Sequence, residues 1–163
     1  MMDSATSSSS AESVRLDGLL RLRASSQVNR IFLEFHDRKT TYGDADRLAS
    51  RAATRLASFG VGFGDRVVVC GENSDQFVIA VFAVMRRGAI VVPVSIRTAA
   101  AYLRHIVISC HPRVVVSDQS ILSQFRETFG DTPICTLETL VGNHDEISGV
   151  VDENDHESAA VII

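Results

Sequence analysis

Gly60-Val61-Gly62-Phe63-Gly64 suggests the glycine-rich turn of a dinucleotide-binding site, in which backbone amides approach a pyrophosphate. That chemistry requires the glycines to leave a strand and open a helix. Here they follow a helical pattern and precede a strand, so a helix stop and tight turn is the better reading. Gly71-Glu72-Asn73-Ser74 does stand between a strand and a helix, where doubly wound sheets bind ligands. A single glycine and the negative charges of Glu72 and Asp75 oppose a phosphate there, and helix capping is expected instead. Arg86-Arg87 could hold a phosphate, but the pair occupies the last turn of a helix, where cations complement the dipole. Arg97, a few residues past a strand end, is a fairer ligand candidate.

Cys110-His111 brings a thiol beside a base, yet adjacent side chains rarely face each other and no third group is identifiable to orient them. His144 and His156 lie too far apart for a local metal motif. Cys70, Cys110 and Cys135 are odd in number and widely spaced, with no C-x-x-C, so buried free thiols are expected rather than a zinc site or disulfides.

The elements that would position these residues follow from periodicity. Residues 14–23 form an amphipathic helical pattern with Leu16, Leu19 and Leu20 on one side. Residues 31–35 read as a strand and residues 36–39 as a polar turn. Thr41-Tyr42-Gly43-Asp44 opens a helix with a capping-box arrangement. Ala45, Leu48, Ala49, Ala52, Ala53 and Leu56 then make a buried stripe, and Gly60 stands where the helix would end left-handed. Residues 66–70 read as a strand. Residues 74–87 form a helix started by Asn73 or Ser74 and stopped by Gly88, and its run 77–85 is apolar all round, hence buried on several sides.

Residues 89–93 read as a strand. A helix from about Ala99 has Ala99, Leu103, Ile106, Val107 and Cys110 on one face. Residues 113–116 read as a strand, Asp118 as the cap of a helix carrying Ile121, Leu122, Phe125 and Phe129, and residues 133–137 as a short strand. Short apolar strands alternating with helices give right-handed βαβ units. The expected fold is therefore α/β, a doubly wound and mainly parallel sheet.

Residues 1–13, rich in serine, read as a disordered tail with neither the basic nor the apolar region of a signal peptide. The longest apolar run, 77–85, is about half the length needed to cross a bilayer, so no membrane span and a cytoplasmic location are expected. Residues 1–117 carry fifteen of the sixteen cations with no cluster longer than two, which argues against nucleic acid. Residues 143–157 read as an acidic, solvated loop. The sequence closes on Ser158-Ala159-Ala160-Val161-Ile162-Ile163, an apolar strand pattern without a following turn. Chain ends are usually polar, so a continuation is expected, and such a strand would be open to association.

Taken in order, several segments resemble the opening of adenylate-forming enzymes: acyl-CoA synthetases, luciferases and the adenylation domains of peptide synthetases. They are Thr41-Tyr42-x-Asp44, Phe59-Gly60-Val61, Gly64-Asp65-Arg66-Val67, Asn73-Ser74-x-x-Phe77, Arg87-Gly88-Ala89-Ile90-Val91-Val92-Pro93-Val94, Leu103-Arg104-His105-Ile106 and Arg113-Val114-Val115-Val116-Ser117-Asp118. Val92-Pro93-Val94-x-Ile96-Arg97 looks closest to medium- or long-chain acid:CoA ligases. Ala99 and Tyr102 stand where relatives often have a Thr-x-x-Glu capping box, Ser95 where Asn is common, and Val28-Asn29 where Pro-Asp is usual.

The resemblance implies that residues 14–163 are an incomplete N-terminal AMP-binding-type domain of an acid–thiol ligase. Such an enzyme activates a carboxylic acid with ATP and Mg to an acyl-adenylate and passes the acyl group to coenzyme A, as in fatty acid metabolism. The family's phosphate loop follows an apolar strand that here resembles residues 159–163. No catalytic, cofactor-binding or metal-binding residue is therefore expected within the sequence, and the chain alone should be inactive. The alternative is a non-catalytic α/β module that binds a partner or the remainder of a split ligase.

Overall fold

The computed structural model describes residues 15–142. The serine-rich tail, the loop 143–157, His144, His156 and the strand expected at 159–163 lie outside the described residues. In chain order the elements are α1 (Leu16–Ser26), β1 (Ile31–Phe35), β2 (Arg38–Thr41), α2 (Tyr42–Ser58), β3 (Arg66–Cys70), α3 (Asp75–Arg86), β4 (Ile90–Val94), α4 (Ala100–Cys110), β5 (Val114–Ser117), α5 (Gln119–Phe125), a 3-10 turn (Arg126–Phe129), β6 (Ile134–Thr136) and α6 (Leu137–Val141).

The central sheet is parallel, in the order β4-β3-β5-β6. Side chains alternate across it, as the strand period of two requires. Val67, Val69, Val114 and Val116 join a core with α1, α2, α3 and α6. Val68, Cys70 and Val115 join a second core with α4, α5 and the 3-10 turn. Helices thus cover both faces. β3 leads to β4 on one side through α3, and the chain then returns through α4 to β5 on the other side of β3. Reversing direction with crossovers of one hand puts α3 and α4 on opposite faces, where they are found.

α2 shows how local sequence becomes packing. The Thr41 hydroxyl accepts the Asp44 amide at 3.1 Å and donates to the Asp44 carboxylate at 2.6 Å. The carboxylate closes the box on the hydroxyl, and Arg47 pairs with its other oxygen. The expected alanine and leucine stripe is buried throughout. At the far end Gly60 takes φ 74°, Val61 N–H donates to Leu56 O and Gly60 N–H to Ala57 O, so two orphan carbonyls are satisfied. α3 starts at Ser74, whose hydroxyl accepts the Phe77 amide at 3.1 Å, and ends through the matching pair of bonds at Gly88 and Ala89. Within its apolar run Val78, Ile79, Ala80, Phe82, Ala83 and Val84 are buried, and Phe77, Val81 and Met85 half-buried.

Four expectations are corrected. Residues 36–39 are a turn only at His36 and Asp37. Arg38 and Lys39 begin β2, which pairs antiparallel with β1 as a two-stranded hairpin. Their charge hides the strand, because both side chains are exposed while Thr40 and Thr41 are buried. Leu137 does not end a strand. The Thr136 hydroxyl accepts the Thr139 amide at 2.9 Å and starts α6. Asp118 sits at the start of α5 but makes no capping bond there. α1 runs on to Ser26, three residues further than its periodicity suggests, and of Leu16, Leu19 and Leu20, expected on one side, only Leu20 is buried, because α2 and α3 pack on the side that Leu20 shares with Asp17.

Candidate functional site

The carboxyl ends of a parallel sheet are where a doubly wound fold offers room for a ligand, above all where strand order reverses. In this chain the reversal lies between β3 and β5, and the crevice there is filled from within. The Asp118 carboxylate accepts the Glu72 amide at 2.7 Å. The Ser117 hydroxyl bonds Cys70 O. A Cβ built on Gly71 would meet Leu137 Cδ1 at 2.8 Å and Asp118 Oδ2 at 3.0 Å. Gly71 is therefore required by close packing against α6 and α5.

The start of α3 is likewise used by its own chain. Ser74 takes the Phe77 amide, Asp75 takes the Gln76 amide at 2.9 Å, and Ser74 O takes the Val78 amide. The amides of residues 72, 76 and 77 are thus engaged by the side chains of Asp118, Asp75 and Ser74, two of them carboxylates, and that of Val78 makes the first ordinary bond of the helix. Ser74 acts as a helix cap and Gly71 packs closely, with the Asp118 and Asp75 carboxylates beside them.

An open cleft of about 800 Å³ lies beside this filled crevice, over the ends of β3 and β4. Residues 71–73 and Phe77 form one wall, residues 93–97 the second, and Phe35 and His36 of the hairpin the third. The hairpin is held in place by ion pairing. Arg38 Nη2 reaches buried Asp75 Oδ1 at 2.7 Å, and its guanidinium lies 5.8 Å from the centre of the Phe35 ring. His36 takes φ 53°, a left-handed conformation that costs a non-glycine residue, and its ring stands edge-on to Phe35 with centroids 4.3 Å apart.

Arg97 is exposed at the rim and makes no ion pair among the described residues; its amide donates to Ser95 Oγ at 3.2 Å. The lining combines apolar Phe35, Phe77, Pro93 and Ile96 with a cation and the carboxylate of Glu72. Such a surface offers apolar walls with one charge of each sign.

The remaining sequence candidates separate cleanly. In the glycine run, Gly62 N–H donates to Asp65 Oδ2 at 2.8 Å and Asp65 N–H to Gly62 O at 3.2 Å, closing the turn, while Gly64 N–H donates to Gly88 O at 2.9 Å and ties it to the end of α3. Arg86 binds Asp46 by its carboxylate at 2.6 Å and its carbonyl at 2.8 Å, joining α3 to α2. Arg87 donates to Val61 O at 3.0 Å. Both arginines tie elements together. Cys110 has its carbonyl held by Arg66 at 2.7 Å, and His111 turns left-handed to end α4.

Cys70 and Cys135 are buried and Cys110 half-buried, all three as free thiols. Burial pushes each thiol pKa up, so none is poised as a thiolate. Among the described residues no group of three His, Cys, Asp or Glu could hold a metal ion. Of the residues lining the cleft, Arg97 is a candidate by its sequence position, whereas Phe35 and His36 are not, because the strain at His36 leaves no mark on residue type. Leu137 was also missed as the side chain that closes Gly71. Thr136 followed by Glu138 in a first turn was the available signal.

The comparisons with known proteins agree with this architecture. The family described as AMP-binding enzyme matches residues 20–161. A medium/long-chain-fatty-acid–CoA ligase, FadD6 of Mycobacterium tuberculosis, is 33% identical over 105 residues, covering 64% of this chain and 18% of that protein. Pseudomonine synthase PmsE of Pseudomonas entomophila is 29% identical over 140 residues, covering 86% and 22%. The chain thus spans under a quarter of the length of either relative. The solved structure of VinN superposes with a TM-score of 0.72 at 25% identity, over 76% of this chain and 32% of that one. The N-terminal subdomain of Klebsiella oxytoca NpsA has the same fold, with a TM-score of 0.69. With its parallel sheet, capped helices and family match over residues 20–161, the chain belongs to the AMP-binding enzyme family.

Proposed function

We propose that this chain is the N-terminal part of an ATP-dependent acid:CoA ligase, which forms an acyl-adenylate and then a thioester. The observation that carries this reading is the 33% identity to a fatty-acid–CoA ligase within the family match. In it, residues 15–142 act as scaffold. The bonding of the amides of residues 72, 76 and 77 to side chains of the chain itself supports phosphate chemistry carried by residues outside this segment. Arg97 is the described cation best placed to meet an anionic substrate group. The second reading, activation of an amino or aryl acid for a carrier-bound thiol, is supported by the 86% coverage of this chain by a pseudomonine synthase.

The experiment begins with the intact mass of the product of the native gene. That product is then assayed for acid-dependent ATP–pyrophosphate exchange with medium- and long-chain fatty acids, aryl acids and amino acids, followed by thioester formation on coenzyme A. Exchange with fatty acids and transfer to coenzyme A is the expected result for a longer product. Exchange with amino acids alone would favour the second reading. The 163-residue chain by itself is expected to give no exchange, and acid-dependent exchange by it would overturn the scaffold role.

A further inference from the structure

We propose that the outer face of α1 docks reversibly on an anionic lipid surface. α1 packs on α2 and α3 through buried Leu20 and Asp17. The opposite face exposes Leu22 by 62% and Leu19 by 44%, Leu16 is 51% exposed at its border about 120° from Leu22, and the turn that follows exposes Val28 by 47%. These four are half of the eight large apolar side chains exposed among the described residues, gathered within residues 16–28. At about 100° per residue, Leu22 crests the exposed face, Leu19 stands about 60° to one side, and Arg21 and Arg23 flank Leu22 about 100° away on either side. The Ser25 and Ser26 hydroxyls on this face both donate to Leu22 O, at 2.8 and 3.0 Å, so they are satisfied within the helix.

Charge selects the occupant. Residues 15–30 hold four arginines against one aspartate in a chain of net charge −4, and that aspartate is buried beside Arg15 at 3.3 Å. Arg21 and Arg23 are exposed and make no ion pair among the described residues. A second copy would bring the same cations face to face, which costs free energy. An anionic bilayer offers negative head groups at the flanks and an apolar layer at the crest, the pattern read by helices that lie in an interface. One short helix supplies weak, salt-sensitive attachment and no span. This inference goes beyond the proposed ligase activity and does not depend on which acid is activated.

The test is co-sedimentation of the 163-residue chain with vesicles of phosphatidylcholine, with and without phosphatidylglycerol. Binding to the anionic vesicles alone is expected, falling as salt is raised. Removing each arginine in Arg21→Gln and Arg23→Gln should weaken it about fivefold. Leu19→Ser with Leu22→Ser should abolish it while leaving the thermal transition in place. Ile108→Ser, at an exposed position on α4 across the sheet, should leave binding unchanged. A chain that stays in the supernatant with both vesicle types overturns the proposal, as does sedimentation indifferent to the leucine pair. A concentration-dependent dimer lost with the same leucines would assign the face to a second copy and overturn it equally.

Discussion

At the scale of single residues, helix caps decide where this chain changes direction, and the three main helices differ in how they begin. α2 and α3 have side-chain caps from Thr41 and Ser74, whereas α4 begins at Ala99, whose methyl satisfies no amide. Thr98 does not substitute as the cap residue. Ala99→Ser should therefore raise stability and Ser74→Ala lower it, each by about 1 kcal/mol, read as opposite shifts in urea midpoint.

The thiols give a pH dependence with a definite sign. Burial raises Cys70, Cys110 and Cys135 above the ordinary value of 9.0, so the folded chain holds protons that the unfolded chain releases. Stability from these groups is fully present below the unfolded thiol pKa and falls as pH rises through the folded values. Urea midpoints measured across pH 8 to 10 should decline. Replacing the three cysteines by alanine should flatten that decline, and a midpoint that rises with pH would contradict the burial.

At the scale of elements, the loop after β3 is the tightest junction. Gly71→Ala places a methyl within 2.8 Å of Leu137 Cδ1, on a side chain 1% exposed, and crowds the Asp118 carboxylate that holds the Glu72 amide. Overpacking of this kind costs about 1–3 kcal/mol. Gly62→Ala, whose added methyl meets nothing nearer than 3.8 Å, serves as the comparison and should change the thermal midpoint little. The hairpin depends on a different contact. Asp75→Ala removes the partner of Arg38 and the acceptor of the Gln76 amide. It should loosen residues 31–41 and raise amide exchange there, while the central strands 66–70 and 114–117 remain protected.

At the scale of the whole molecule, the described residues form two cores on opposite faces of the sheet, and side chains fill the strand-reversal crevice. Asp118, Ser117 and Leu137 occupy the place where a doubly wound sheet commonly admits a ligand. The accessible room is displaced toward the hairpin, beside Arg97. In the product of the native gene, Arg97→Ala is expected to raise the KM of an anionic substrate several-fold with a smaller effect on kcat. A change in kcat alone would remove Arg97 from binding.

The order of helices and strands, the cap at Thr41, a cap at Asn73 or Ser74 and the helix stop at Gly60 were legible in the sequence, because each follows from interactions within a few residues, and the parallel sheet was legible from the alternation of short apolar strands with helices. β2 and α6 were not, since an exposed Arg38-Lys39 pair looks like a turn until β1 pairs with it, and Leu137 looks like strand until it packs. The role of Asp118 was misplaced for the same reason: an aspartate before a helix is locally a cap, and only the approach of residue 72, forty-six positions away, offers it a better donor. Local hydrogen bonding and apolar periodicity are written along the chain. That Asp118 takes the Glu72 amide, and which face of α1 remains uncovered, depend on contacts between distant segments, and the tertiary structure alone decided them.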